Sequence, residues 1–383
     1  MKIKVWKLLS LILIAVFLLS TVSMAHAAVT QLPTPSTISS GGVGEYIAYD
    51  SVLGEIYSTN GESANTVSVI SDSSNTVVTT VNVGTNPVGI AYDASKGEMF
   101  VINNGNSGVN STVSVIQDSS NTVIATVTVG MGAQTGIAYD SNKGEVFVVN
   151  GDGTVSVISD SSNTVVNTIT VGNNPEYAAY DSAKNEVFVS NEGDNSVSVI
   201  SDSSNTIVST ITGSISGPRG LAYDSAKGEI FVADYPAASF SIISDKDNAI
   251  VKTVDMSLAD DYAGNPGGVA YDSAKGEVFV QTSGALQVMS DSDNSVVGYY
   301  KMTAALGVAY DSGKGETFVA TYGNVLYVIP DSASTSVSAS PTSSSSATST
   351  PTVPEFANVA LVSIAVAVVV VTLAVAIVKK KRK

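Results

Sequence analysis

Few residues in this chain could do chemistry. Arg219, in Gly217-Pro218-Arg219-Gly220, is the only arginine ahead of the last five residues. Two short stretches set carboxylates beside phenol rings, Asp234-Tyr235 and Asp260-Asp261-Tyr262. Brought together on neighbouring connections, these groups suit a sugar or a calcium ion, which takes clustered oxygen ligands. They suit equally a solvated loop with one incidental ion pair. No spacing matches a calcium-binding loop, a phosphate-cradling glycine loop or a nucleophile elbow.

Composition removes more chemistry than the motifs suggest. The chain has no cysteine, and its one histidine and one tryptophan, His26 and Trp6, fall within the first 27 residues. Beyond them a disulfide framework, a zinc or copper site built on His or Cys, and a triad with a histidine base are all excluded. Haem or copper electron transfer is disfavoured on the same ground. We therefore expect no metal and no cofactor. Residues 28–354 hold 33 acids and ten bases, a net charge of 10 − 33 = −23. Such a surface repels phosphates, so a nucleic-acid partner is not expected.

Most of those acids belong to a repeat. Ala-Tyr-Asp, a few small residues, Gly-Glu or Asn-Glu, and a Phe/Tyr-Val burst return seven times, with Tyr-Asp pairs at 49–50, 92–93, 139–140, 180–181, 223–224, 271–272 and 310–311. The spacings are 43, 47, 41, 43, 48 and 39 residues, a period that suits propeller blades. Within the third repeat, Gly136–Asp140, Glu145–Asn150, Thr154–Ser159 and Thr164–Val171 read as four strands, the last outermost. Gly144 supplies the positive φ that a tight turn needs. A lone blade would expose two apolar faces, so neighbours must stack in a ring. The predicted fold is all-β, a seven-bladed β-propeller of four-stranded antiparallel blades over 41–331. The recurring Asp and Glu read as turn formers rather than ligands. The last repeat supplies three strands, so Val29–Ile38, within an N-terminal segment 28–40, is expected to be the outermost strand of blade seven. Its Pro33 and Pro35 are tolerable on an edge, and the rival donor Thr335–Ala339 has only one large apolar residue.

The repeats resemble the YVTN β-propeller family. Tyr57-Ser58-Thr59-Asn60, Phe100-Val101-Ile102-Asn103, Phe147-Val148-Val149-Asn150 and Phe188-Val189-Ser190-Asn191 carry the motif, while Asp234, Thr282 and Thr321 replace its Asn in later blades. The resemblance implies a cell-surface protein of the archaeal surface-layer type, or a secreted relative. Residues 1–27 read as a signal peptide, with an apolar Leu8–Leu19 core and an Ala25-His26-Ala27 site cleaved between Ala27 and Ala28; a retained anchor is the alternative. Residues 332–354 form a Ser/Thr/Pro-rich stalk. The 22 uncharged residues Ala357–Val378 rise about 33 Å as a helix, enough to cross a bilayer. The basic 379–383 would hold the C-terminus inside and the propeller outside.

Pro354-Glu355-Phe356 directly before the span resembles the sorting motif of archaeal surface proteins. In those proteins a membrane protease of the archaeosortase type recognises the motif, and a lipid anchor can replace the helix. Loops after the second strands and between blades differ from repeat to repeat, whereas the Asp-Ser turns barely change. The variable loops share one face, so the binding face is expected there, with Arg219, Asp234, Tyr235, Asp260, Asp261 and Tyr262 on it. The expected function is an extracellular structural, adhesion or ligand-binding module whose partner is a cell-envelope protein or glycan. The alternative is a propeller enzyme such as a calcium-assisted lactonase or lyase.

Overall fold

A computed structural model describes residues 29–331 except 43–44, 106–107, 236, 257–265, 303–304 and 322. The described residues form seven sheets, six with four strands from the repeats (one of them with an added fifth) and one with three repeat strands and an N-terminal fourth. The first strand of every repeat is innermost: Ile47–Asp50, Pro87–Asp93, Ala133–Asp140, Pro175–Asp181, Pro218–Asp224, Val269–Asp272 and Ala305–Asp311. The third repeat's other strands, Glu145–Asn150, Thr154–Ser159 and Thr164–Thr170, follow antiparallel in chain order. Gly144 takes φ +68° in the first turn, and Asn163 takes φ +50° in the third.

Apolar packing joins the blades face to face. The second strands each bury one aromatic ring, Tyr57, Phe100, Phe147, Phe188, Phe231, Phe279 and Phe318, all at 1 % exposure or less. Every core cluster spans a seam. One contains Phe100 and Ile102 of blade two with Val146 and Val148 of blade three. Another contains Ile47 and Ile56 of blade one with Phe318 and Leu326 of blade seven, which closes the ring.

The repeated polar residues do more than turn the chain. In Tyr180-Asp181, Asp181 Oδ1 accepts from the Ala183 and Lys184 amides at 2.8 and 3.1 Å, capping the turn. Tyr223 of the next blade lies beside Asp181, and its hydroxyl donates to Asp245 Oδ2 at 3.4 Å. The same clip recurs at every seam, and Tyr49 of blade one reaches Asp311 of blade seven. Burial, and then the flanking carboxylates, hold these phenols well above their usual pKa, so they remain donors. Two further links cross the seams. Lys96 of blade two pairs with Asp160 of blade three at 2.9 Å, and Asn205 of blade four donates to Glu145 of blade three at 3.0 Å. The recurring Tyr-Asp aspartates are thus buried in turns and at seams.

Ring closure differs from a single added strand. Ser36–Ile38 lies antiparallel on Leu326–Val328 as the outermost strand of blade seven. Thr30–Gln31, however, runs parallel to Gly298–Tyr299 as a fifth strand on blade six. The cause is local: Leu32 covers Gly298, where an added Cβ would lie 2.9 Å from its side-chain carbons. Pro33 and Pro35 fall in the crossing between blades, where no ladder bond is needed. The segment is a clasp over two blades.

Candidate functional site

The inner ends of the blades meet around a central channel. One equivalent position lies in or just before each innermost strand, four residues ahead of its Asp: Tyr46, Gly89, Gly136, Tyr177, Gly220, Gly268 and Gly307. Glycine is required at several of them because the neighbouring backbone is too close for a side chain. A Cβ on Gly89 would lie 2.1 Å from the Thr135 carbonyl oxygen, and one on Gly220 would lie 2.1 Å from that of Gly267. Tyr46 and Tyr177 are the exceptions, and their side chains lie close to each other and to Thr135 beside the cavity. Burial is the main reason both phenols titrate above their usual range. A cavity of about 100 Å³ lies around them, lined also by Gly89, Gly136, Gly268 and Gly307.

A second sequence feature accompanies each tyrosine. The residue before the motif Asn is Thr59 in blade one and Ser190 in blade four. These hydroxyls accept the Tyr46 and Tyr177 amides, each at 3.0 Å. In blades two and three the corresponding residues are Ile102 and Val149, which pack against the space over Gly89 and Gly136.

One step towards the variable face, the ring carries Glu45, Val88, Thr135, Glu176, Arg219, Gly267 and Leu306. Here a polar cluster forms between blades four and five. Arg219 Nη2 donates to Glu192 Oε1 at 3.0 Å, and its guanidinium lies 3.8 Å from the centroid of the Tyr235 ring. Asn174 Nδ2 donates to Glu176 Oε1 at 3.1 Å and to Glu192 Oε2 at 2.9 Å. Burial, and then the adjacent Glu192 carboxylate, push the Glu176 carboxyl up to about 7, with Arg219 opposing the rise. Glu176 therefore titrates near neutrality beside a cation that lies over a tyrosine ring. Such a set can both donate to and accept from a hydroxylated ligand, or carry a proton to and from one.

The folded state keeps a proton on Glu176 that the unfolded chain, at the ordinary value of 4.5, has lost. Its contribution is intact below about pH 4.5 and falls as pH rises towards 7. Glu176→Gln removes this titration. Its melting temperature relative to the native protein is therefore expected to rise between pH 4 and pH 8, as read by calorimetry at both.

The residues expected on the binding face separate. Arg219 and Tyr235 come together as described. Asp234 does not join them: it is fully buried and accepts from Ser241 Oγ at 2.6 Å and Ser239 Oγ at 3.3 Å. It occupies the motif Asn position, where Asn191 Nδ2 instead donates to Ser196 and Ser198 at 3.1 and 2.9 Å. Only the direction of the hydrogen bonds has reversed, and burial raises the carboxyl's pKa. Placing Asp234 on the open face is therefore corrected. Thr282 and Thr321 turn their hydroxyls to the Ala285 and Val325 carbonyls. Asp260, Asp261 and Tyr262 lie outside the described residues, as do Ala27, Ala28, Pro354, Glu355 and Phe356.

Among the described residues no group of three or more His, Cys, Asp or Glu is placed to hold a metal ion. None of their helices is long and apolar enough to cross a membrane, and the expected span Ala357–Val378 lies outside them. Glu176 and Glu192 were not expected at the site. Glu176 shares its position only with Glu45 of blade one, and Glu192, after the motif Asn191, has no acidic counterpart in the other repeats.

No family model matches the chain, and no curated protein matches it either. Among solved structures the fold is similar to that of Kuenenia stuttgartiensis hydrazine synthase, with a TM-score of 0.67 and 16 % identity over 82 % of this chain and 99 % of that one. At that identity the likeness defines the class of fold, a β-propeller, and nothing about activity.

Proposed function

We propose that this protein is an extracellular β-propeller of the YVTN cell-surface kind, tethered by its C-terminal segment. In this reading it binds a protein or glycan of the cell envelope at the channel mouth. One observation carries it: charges that follow no repeat, Glu176, Glu192 and Arg219, converge with Tyr235 at the centre of the variable face. The repeated acids are spent on seams and turns, so a ligand meets the irregular ones. The motif stretches, the leader-like 1–27 and the apolar 357–378 support placement outside the membrane.

The test is capture of isolated cell envelope by immobilised residues 28–354, with Arg219→Glu beside the native form. Capture by the native form, at least tenfold weaker in the variant, supports the reading. Equal capture by both forms removes the mouth as the binding site. Protease treatment of intact cells checks orientation independently. A protected propeller with a cleaved basic tail overturns it.

A second reading, an acid–base propeller enzyme such as a lactonase or lyase, draws on the neutral-range carboxyl of Glu176 beside Glu192. It requires turnover of model lactones that disappears in Glu176→Gln. Absence of turnover in the native protein removes this reading and leaves the binding module.

A further inference from the structure

The chain contains 25 asparagines in a sequence rich in serine and threonine, yet only Asn110 has a hydroxyl residue two positions on, in Asn110-Ser111-Thr112. In the other repeats every Asn-Thr or Asn-Ser pair is followed by Val or Ile, so the repeat itself does not generate this triplet. Its place in the fold is equally particular. The third strands of blades one, three, four and five begin at Thr66, Thr154, Ser196 and Ser239 and run six residues. In blade two the third strand starts earlier and runs eight residues, Asn110–Gln117. The fourth runs ten, Thr122–Met131. Asn110 pairs with Met131 at the open end of this lengthened hairpin.

We propose that Asn110 is the attachment site of an N-linked glycan. Asn110 is exposed, as are its neighbours Val109 and Met131, and its side chain makes no hydrogen bond among the described residues. Substituting its amide nitrogen therefore breaks nothing in the fold. The two following hydroxyls are differently placed. Ser111 Oγ donates to the Asn104 carbonyl at 2.8 Å and accepts from the Ala133 amide at 2.9 Å. Thr112 Oγ1 accepts from Asn103 Nδ2 at 3.1 Å. These bonds tie the sequon into blade two, so transfer takes place on the extended chain, before the blade closes. The donor is a lipid-linked oligosaccharide phosphate. The Asn110 nitrogen forms a bond to the sugar's anomeric carbon as the carbon–oxygen bond to phosphate breaks. The lipid phosphate departs, and the amide loses one proton.

This inference rests on the extracellular reading, and one measurement separates the two. Protein isolated from the envelope of its own cells is digested with trypsin. The fragment Gly97–Lys143, which has no internal Lys or Arg and holds the single sequon, is weighed together with the N-terminal fragment. A Gly97–Lys143 fragment heavier by sugar increments is expected. It should return to the unmodified mass in Asn110→Gln and Thr112→Ala and stay heavy in Thr112→Ser. An unmodified native fragment overturns the proposal. An N-terminus at Ala28 in that same sample leaves the export reading standing, whereas an intact leader removes both.

Discussion

A chain that begins at residue 39 is expected to melt on the order of 10–20 °C below one that begins at residue 28. The loss comes from the clasp. Removing it exposes the outer edge of Leu326–Val328 and takes Ile38 from the seam between blades seven and one. It also takes Leu32 from the cluster of Phe279, Tyr300 and Met302. Leu32 and Ile38 are half-buried, so each contributes about 1–2 kcal/mol, below the full-burial figure. The lost ladder bonds add about 1 kcal/mol apiece. Together these reach roughly 5–8 kcal/mol, a large fraction of the stability of any domain. Gly298→Val is the milder version, because it displaces Leu32 and leaves Ser36–Ile38 in place. Its melting temperature should fall between the two. Adding a peptide of residues 29–38 to the shortened chain should recover part of the loss. Calorimetry on the four samples decides it, and an unchanged midpoint for the shortened chain would show that the ring is held elsewhere.

Asp181→Ala is expected to cost about 3 kcal/mol, with Asp181→Asn costing less than half as much. The alanine removes the acceptor for two backbone amides in the first turn of blade four and leaves the Tyr223 hydroxyl with Asp245 alone at the seam with blade five. An unsatisfied buried polar group costs roughly 1–3 kcal/mol, and each lost hydrogen bond about 1 kcal/mol. Asparagine keeps an oxygen for the turn and offers an amide to the tyrosine oxygen, so the clip survives in altered form. Denaturant midpoints for the two variants check this. Equal effects would mean that the charge of Asp181, rather than its hydrogen bonds, holds the seam.

Architecture was legible because it is written seven times. The period, the four strands per repeat and the positive φ at Gly144 follow from local turn chemistry and side-chain alternation, which act over a few residues. What the repeats touch was not legible. That Tyr223 lies against Asp181 of the preceding blade, about forty residues away, depends on how the blades stack. No local pattern encodes that stacking. The division of the clasp turned on one small residue, Gly298, whose meaning appears only once Leu32 lies over it. At the mouth, Arg219 was visible by its rarity. Glu176 and Glu192 were masked by an acidic background, although both break the repeat pattern. Asp234 misled for the converse reason. A carboxylate beside a tyrosine reads as a surface ligand, yet here it substitutes for a buried asparagine and uses the same pair of neighbouring hydroxyls.

The last described residue, Asp331, stands at the position of Asp72 in the first repeat: its amide donates to the Gly315 carbonyl at 2.8 Å, as that of Asp72 does to Gly54 at 3.0 Å. Asp331 thus sits on the side of the near-identical Asp-Ser turns, away from the opening where Arg219 lies over Tyr235. Tension applied to the outgoing chain enters through the third strand of blade seven, which is flanked by Ser36–Ile38 on one side and Glu316–Thr321 on the other. That strand would have to shear along both neighbours at once instead of peeling bond by bond. The molecule can bear a load on one side while the other stays open to whatever approaches it.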